Sequence, residues 1–358
     1  MFGCHHSKCI FHNKTEPVKG SYMSKIMVVG SGNFGICLSN HLGQRGHHVT
    51  LVARSQAVAD HINTERHHPK YLRKFNIDEN VTAVCQADTI KDRGYNNIVL
   101  AVPTQTIREN ARIFSDILKS ATSITCASKG IEMGSGLTPT KILLDAIDVD
   151  QGKIAVLSGP SFAIEVMSSQ PTCVAIASAD KNTAELVQNL FHAPHFRCYT
   201  TEDTIGLEIA GAMKNVIAIA AGASAGLGYG SNTQAALITR GLAEITRFGV
   251  SKGANPLTFK GLGGVGDLFL TCNSDKSRNY KLGFSLSKGK IIDQAASEIG
   301  SIAEGVPTAK AIYNLANRAI DIPITSAVYK VLYDSADINK VVWELMSRES
   351  KPELTLSQ

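Results

Sequence analysis

None of the eight cysteines (Cys4, Cys9, Cys37, Cys85, Cys126, Cys173, Cys198 and Cys272) belongs to a Cys-x-x-Cys pair, and their scatter excludes a disulfide framework. Cys126 and Cys173 lie inside apolar strand-like runs, where a thiol serves as a small hydrophobe. A reducing, cytoplasmic setting is expected. Charge of one sign is also lacking. The formal net charge over 358 residues is +5, and residues 1–22 supply +2 of it (Lys8, Lys14 and Lys19 against Glu16), leaving +3 for the rest. That is too mild to imply a nucleic-acid partner, although a local basic patch can still receive an anionic metabolite. No segment near the N-terminus has the apolar core of a secretory signal. The longest uncharged run, Asn215 to Thr239, is interrupted by four glycines and by Ser224, Ser231, Asn232 and Gln234, which makes it a poor membrane span. No membrane insertion is expected, and no internal repeat is evident.

What is present is the composition of a globular protein, 44% apolar and 19% charged, long enough for two domains. Residues 1–22 carry Cys4, His5, His6, Cys9 and His12, but the spacing fits no standard zinc pattern and has no second half. They read as an extension outside the fold, disordered or added to it, and no metal is assigned. Met23 is where the folded protein is expected to begin.

Lys25 to Gly30 is a short β-branched run that enters Gly30-Ser-Gly32-Asn33-Phe34-Gly35, then a helix to about Arg45, then a second strand from His48 to Arg54. Strand, G-x-G-x-x-G, helix and strand in that order point to a dinucleotide site. The glycines permit a tight turn and close backbone approach to a pyrophosphate, and the helix N-terminus offers N–H groups to it. The alternative is a glycine turn that only packs. At the end of the second strand an NAD-selective site usually places a carboxylate for the ribose 2′-hydroxyl. Here the chain reads Ala53-Arg54-Ser55, with no carboxylate before Asp60. Arginine pairs with a 2′-phosphate or stacks on adenine, so NADP is expected to be slightly favoured over NAD.

Residues 56–95 contain a basic, histidine-rich loop (His61, Arg66, His67, His68, Lys70, Arg73), read as a solvated surface with a flap over the cofactor as the alternative. Asn97 to Pro103 is a buried strand, Ile107 to Lys119 a helix, and Ser123 to Gly130 a strand with Lys129 at its C-terminal end, the edge where ligands sit in open α/β sheets. Without neighbours to converge on, Lys129 would be an ordinary loop lysine. Ile154 to Ala163 is a strand delivering a turn (Gly159, Pro160, Ser161) to the same edge. The runs from Pro171 and Phe196 complete an α/β, doubly wound pattern over residues 23–200. Strand signals then vanish. Residues 201–346 read as an all-helical, substrate-binding domain, with a polar tail at 347–358.

That second half opens on Asp203 to Gly222, whose Ile205, Ile209, Met213 and Val216 recur at helical spacing behind an aspartate N-cap. Between Ile209 and Ala221 the only charged residue is Lys214, followed by the only other polar side chain, Asn215. A lone ammonium among small apolar residues finds a partner or suffers a lowered pKa; alternatively it snorkels from a half-exposed helix. Downstream, Asp267 stands alone in a glycine-rich stretch, either as an N-cap or as a buried carboxylate for Lys214. Ser277-Arg278-Asn279 clusters donors in the manner of a phosphate grip. Glu304 takes cofactor hydroxyls or stays solvated.

Together the G-S-G-N-F-G turn, S-K-G at 128–130, S-G-P-S-F-A at 158–163, E-I-A-G-A-M-K-N-V at 208–216, G-V-G-D-L-F-L-T-C at 264–272, S-R-N at 277–279 and A-E-G at 303–305 resemble NAD(P)-dependent glycerol-3-phosphate dehydrogenase of the bacterial type. The resemblance runs from about Lys25 to the C-terminal helices and leaves residues 1–22 without a role. It implies a Rossmann-like N-terminal domain, a small phosphorylated substrate, a homodimer, and reversible reduction of dihydroxyacetone phosphate to sn-glycerol 3-phosphate for glycerophospholipid synthesis. By resemblance Lys214 is the proton donor and acceptor. Lys129, Gly159, Ser161, Lys214, Asp267, Ser277, Arg278 and Asn279 match substrate contacts. Gly30, Gly32, Asn33, Phe34, Gly35, Arg54, Lys129, Ala163, Arg278, Ile302 and Glu304 match cofactor contacts; Asn33, where the family often has serine, is a mild departure. Two rival readings remain. A ketopantoate-type reductase would act on a keto acid, and a non-catalytic nucleotide sensor would bind cofactor without turnover.

Overall fold

The computed structural model describes residues 23–86, 94–300, 303–317, 319–350 and 352–353. The extension at 1–22 and Ile302 lie outside the described residues. The sheet half comprises β1 (Lys25–Val29), α1 (Asn33–Gln44), β2 (His48–Ala53), α2 (Gln56–Glu65), β3 (Val81–Cys85), β4 (Asn97–Leu100), α3 (Ile107–Ile113), α4 (Ser115–Ser120), β5 (Ser123–Cys126), α5 (Pro139–Ala146), β6 (Ile154–Ser158), α6 (Ala163–Met167), β7 (Thr172–Ser178), α7 (Lys181–Phe191) and β8 (Phe196–Thr201). The strands form one sheet in the order β3-β2-β1-β4-β5-β6-β7-β8, with every neighbouring pair parallel except β6 and β7. The chain winds outward from β1 to β3 and then returns to β4 on the other side of β1. That reversal places the crevice for a ligand at the carboxyl end of β1, where the Gly30 turn sits.

The first strand shows why it is central. Ile26 and Val28 point into one apolar layer and Met27 and Val29 into the other, as a period of two requires, and all four are buried. After Thr201 the described residues contain helices and no strand: α8 (Thr204–Gly226), α9 (Ser231–Ser251), α10 (Asp267–Cys272), α11 (Arg278–Ser287), α12 (Ile292–Ile299), α13 (Gly305–Ala316), α14 (Pro323–Tyr333) and α15 (Ile338–Met346). Helix α8 is the axis of this half and packs against α9, α10, α11, α13 and α14 as well as β6. It is long and apolar enough to cross a membrane, with a mean hydropathy of 1.4, yet 89% of that stretch is buried inside the protein. Its start agrees with the sequence reading, since the Asp203 carboxylate accepts from Gly206 N. It runs four residues past Gly222 because α11 covers that end.

Three local readings are corrected. The helix expected from Ile107 to Lys119 is broken at Phe114, whose backbone (φ −101°, ψ 19°) leaves helical geometry while its ring is buried against the sheet. The strand expected to reach Gly130 ends at Cys126, so Lys129 stands on a loop beyond the sheet edge. The basic segment after Ser55 is not a solvated loop throughout. Residues 56–65 form α2, and His68 is buried with its Nδ1 accepting from the backbone N–H of Lys70 and of Tyr71. The six described cysteines are free.

Candidate active site

The glycine turn is shaped by contact distances. Gly30 has φ +109°, and a Cβ there would lie 2.7 Å from Ala101 O; a Cβ on Gly35 would lie 1.8 Å from Gly30 O. Gly32 differs, for a Cβ on it would meet no atom within 4 Å. Helix α1 therefore begins against an open approach, with no side-chain cap and no acidic residue in its first turn. Its first N–H groups have no intrahelical acceptor, and this is the cradle a pyrophosphate fits. Arg54 is exposed at the end of β2, and the nearest downstream carboxylate, Asp60, accepts from Gln56 Nε2 at 2.7 Å. A second fitting feature is Glu304. Its Oε2 is buried without a hydrogen-bond partner among the described residues, and it faces the same spot on Gly130 as the Thr104 hydroxyl. Burial raises its carboxyl to about 7, against the pull of Arg278. The residues present fit a dinucleotide.

Opposite this turn, three charged side chains meet. Lys214 Nζ donates to Asp267 Oδ1 at 2.7 Å and to Thr271 Oγ1 at 2.8 Å. Lys129 Nζ donates to Asp267 Oδ2 at 2.7 Å and to Gly159 O at 3.1 Å. One carboxylate thus bridges two ammoniums, one from the helical half and one from the sheet half. Helix α8 delivers Lys214, the loop after β5 delivers Lys129, and the first turn of α10 delivers Asp267. Asp267 is the first residue of α10 and not its N-cap, which is Gly266; its side chain is spent on the lysines. Lys214 does not snorkel, being 7% exposed.

Burial pulls the Lys214 ammonium down, Asp267 raises it and Lys129 lowers it again, and the outcome is about 8. For Asp267 burial works upward, but the two ammoniums outweigh it and hold the carboxyl below its ordinary value. A buried amine that is half-protonated at about pH 8, next to a fixed carboxylate, is suited to giving and taking a proton.

The remaining residues fall around this triangle in different ways. Gly159, with φ +142°, lets its carbonyl reach Lys129, and Ser161 Oγ donates to that same carbonyl at 2.9 Å. Ser277 caps α11 by accepting from Tyr280 N, and Arg278 follows it, exposed and without an ion pair among the described residues. Phe34 lies under the Lys129 ammonium, 6.0 Å from ring centre to nitrogen. Ala163 opens α6, two residues after Ser161. Asn279 is buried and engaged by protein: its Nδ2 donates to Asn215 Oδ1 at 2.9 Å and its Oδ1 accepts from Gly305 N at 2.9 Å.

Two residues of this site escaped the sequence reading. Thr271 lies one helical turn after Asp267, and that i, i+4 spacing was its available signal. Asn215 donates to Lys129 O at 3.1 Å, tying α8 to the Lys129 loop. Only its isolation in an apolar helix marked it.

Comparison with known proteins covers both halves of the chain. The family model for the N-terminus of NAD-dependent glycerol-3-phosphate dehydrogenase matches residues 25–184, and the model for its C-terminus matches residues 203–343. A curated glycerol-3-phosphate dehydrogenase (NAD(P)+) from Staphylococcus aureus is 44% identical over 334 residues, covering 92% of this chain and 100% of the relative. The crystal structure of glycerol-3-phosphate dehydrogenase from Coxiella burnetii superposes with a TM-score of 0.85 at 33% identity, covering 91% of this chain and 99% of that one. A ketopantoate reductase family structure from Ralstonia eutropha, at 15% identity and a TM-score of 0.55, shares the fold alone. Matched in both halves by that family's models and along the whole length of a relative, the chain belongs to the NAD-dependent glycerol-3-phosphate dehydrogenases.

Proposed function

We propose that Lys214 is the proton donor and acceptor in the reaction of this family, the reversible reduction of dihydroxyacetone phosphate to sn-glycerol 3-phosphate with NAD(P)H. The observation that carries this role is the buried Lys214–Asp267–Lys129 triangle, opened by neither half alone. The nicotinamide supplies the hydride when bound. The chain's own residues meet the charge that develops on the carbonyl oxygen. Lys214 gives that oxygen a proton, Lys129 adds positive charge beside it, and Asp267 keeps both ammoniums in place.

For the substrate phosphate, the exposed Arg278 guanidinium at the start of α11 is the receiving group, with Ser277 shaping the turn. Asn279 supports that turn through its bonds to Asn215 and Gly305 more than it offers free donors. For the cofactor, the first turn of α1 holds the pyrophosphate, Arg54 favours NADP over NAD, and Glu304 takes a hydroxyl or amide. Replacing Arg54 by alanine is expected to lower kcat/KM for NADPH and leave that for NADH little changed.

The two halves, 23–200 and 201–346, act as cofactor and substrate units, in the cytoplasm and in the service of glycerophospholipid synthesis. The assembly we infer is a homodimer, supported by exposed Trp343 and Met346 on α15, apolar surface of the kind a second copy covers; light scattering decides it. The decisive assay follows NAD(P)H absorbance with dihydroxyacetone phosphate against a panel of keto acids. Oxidation with dihydroxyacetone phosphate alone is the expected result, and oxidation only with a keto acid, or with nothing, defeats the reading.

A further inference from the structure

One buried carboxylate takes no part in this chemistry. Glu208, on α8 six residues before Lys214, is 3% exposed and forms no ion pair among the described residues. Burying a carboxylate is costly unless donors replace its water. Here the donors come from the other half of the molecule: Thr140 N reaches Glu208 Oε1 at 2.7 Å and Thr140 Oγ1 reaches Oε2 at 2.7 Å. Thr140 is the second residue of α5. Pro139 before it has no N–H, and the N-cap Thr138 makes no side-chain cap, so Glu208 serves the first amide that α5 offers.

The place of this contact matters. The segment from the end of β5 to the start of α5 is the loop that carries Lys129. On α8 the residues 208, 211 and 215 share one face at helical spacing, and each meets that loop or the strand beside it. Glu208 holds Thr140 at the loop's far end. Gly211 lies where a Cβ would be 3.0 Å from Ser158 Oγ and 3.5 Å from Lys129 Cγ. Asn215 donates to Lys129 O. Between these points Ile131, 1% exposed, is packed in the core of the helical half. The lysine of one half and the lysine of the other are thus fixed relative to each other by two polar ties on a single helix face.

We propose that Glu208 is a positioning residue for the reaction: through Thr140 it sets the register of α8 against the Lys129 loop, and so the placement of Lys214 beside Asp267 and Lys129. It touches neither substrate nor cofactor. The inference rests on the proton-donor role given to Lys214 above.

The test uses the full-length chain with Glu208→Gln, which keeps the volume but turns an amide donor toward Thr140, and Thr140→Val, which removes only the hydroxyl. Steady-state kinetics with dihydroxyacetone phosphate, the pH profile of kcat and the NADPH dissociation constant from its fluorescence are measured. Small misplacements of a reacting group cost on the order of 10²-fold in rate, and a fall of that order in kcat is expected for Glu208→Gln, with a smaller one for Thr140→Val. Cofactor affinity is expected to hold, because the α1 turn is untouched. The alkaline limb of kcat should move to higher pH, because burial is the main force lowering Lys214 and a loosened helix admits water. An unchanged kcat and pH profile in Glu208→Gln overturns the proposal, as does a loss of cofactor affinity in step with kcat, the mark of general unfolding. Should Glu208→Gln not fold, Thr140→Val decides on the same readouts. Lys214→Ala run alongside separates the two ideas. Normal turnover there removes the proton-donor role itself, whereas an inactive Lys214→Ala beside a normal Glu208→Gln removes only the positioning role.

Discussion

At the scale of single residues, everything turns on how one amine is held near its titration point. Lys214 is buried, which favours the neutral form, and it is kept usable by Asp267 at 2.7 Å. Lys214→Ala is expected to lose on the order of 10²–10⁴-fold in kcat, the range of a positioned general acid, with a smaller change in KM. The pH dependence has a definite sign. With Lys214 as the proposed proton donor, reduction needs the ammonium, so kcat for dihydroxyacetone phosphate should fall as pH rises through about 8, while kcat for glycerol 3-phosphate oxidation should climb over the same interval. Asp267→Asn removes the group that raises Lys214 and leaves burial and Lys129 to lower it. The alkaline limb should therefore move to lower pH, the reverse of the shift expected for Glu208→Gln. Arg278→Ala should act mainly on KM, because a grip on the phosphate is made equally in ground and transition states; an unchanged KM for dihydroxyacetone phosphate would count against the phosphate assignment.

Helices α8 and α11 show what an element must do to present these residues. Their backbones run so close that a Cβ on Gly222 would lie 1.9 Å from Tyr280 O and one on Gly283 would lie 1.8 Å from Ile219 O. That approach puts the Ser277–Arg278 end of α11 near the middle of α8, where Lys214 stands. Gly283→Ala should destabilise the protein by about 1–3 kcal/mol or more, as overpacking does, measured by its denaturant midpoint. If the helices part to admit the methyl, kcat should fall too. Parts of α8 were legible beforehand, because its cap and apolar spacing are local. The break at Phe114 was not, since the pattern there is helical and only the demand of the sheet core for that ring bends the chain.

For the whole molecule, the crevice between the halves is spanned by contacts of different strength. Deep inside lie the lysine–aspartate triangle and the Glu208–Thr140 tie. At the rim Lys276 Nζ meets Glu165 Oε1 at 2.6 Å, and Lys70 Nζ donates to Gly300 O at 3.0 Å. Exposed pairs contribute about 0.2–1 kcal/mol, so Glu165→Gln should change KM by less than about tenfold and leave the pH profile of kcat in place; a larger loss would mean that the rim controls access.

The order of most strands and helices, the glycine turn and the change to helices after residue 200 were legible in the sequence, as were the lone charges at Lys214 and Asp267, because glycine geometry, apolar periodicity and isolated charges are properties of short stretches. What the sequence did not show is that Lys129 and Lys214 share one carboxylate, that Thr271 and Asn215 bond to those lysines, and that His68 and Glu208 are buried. Those facts depend on residues tens of positions apart meeting across a crevice. No local pattern encodes such a meeting, since it is the packing of α8 against both halves that brings the partners within hydrogen-bond reach.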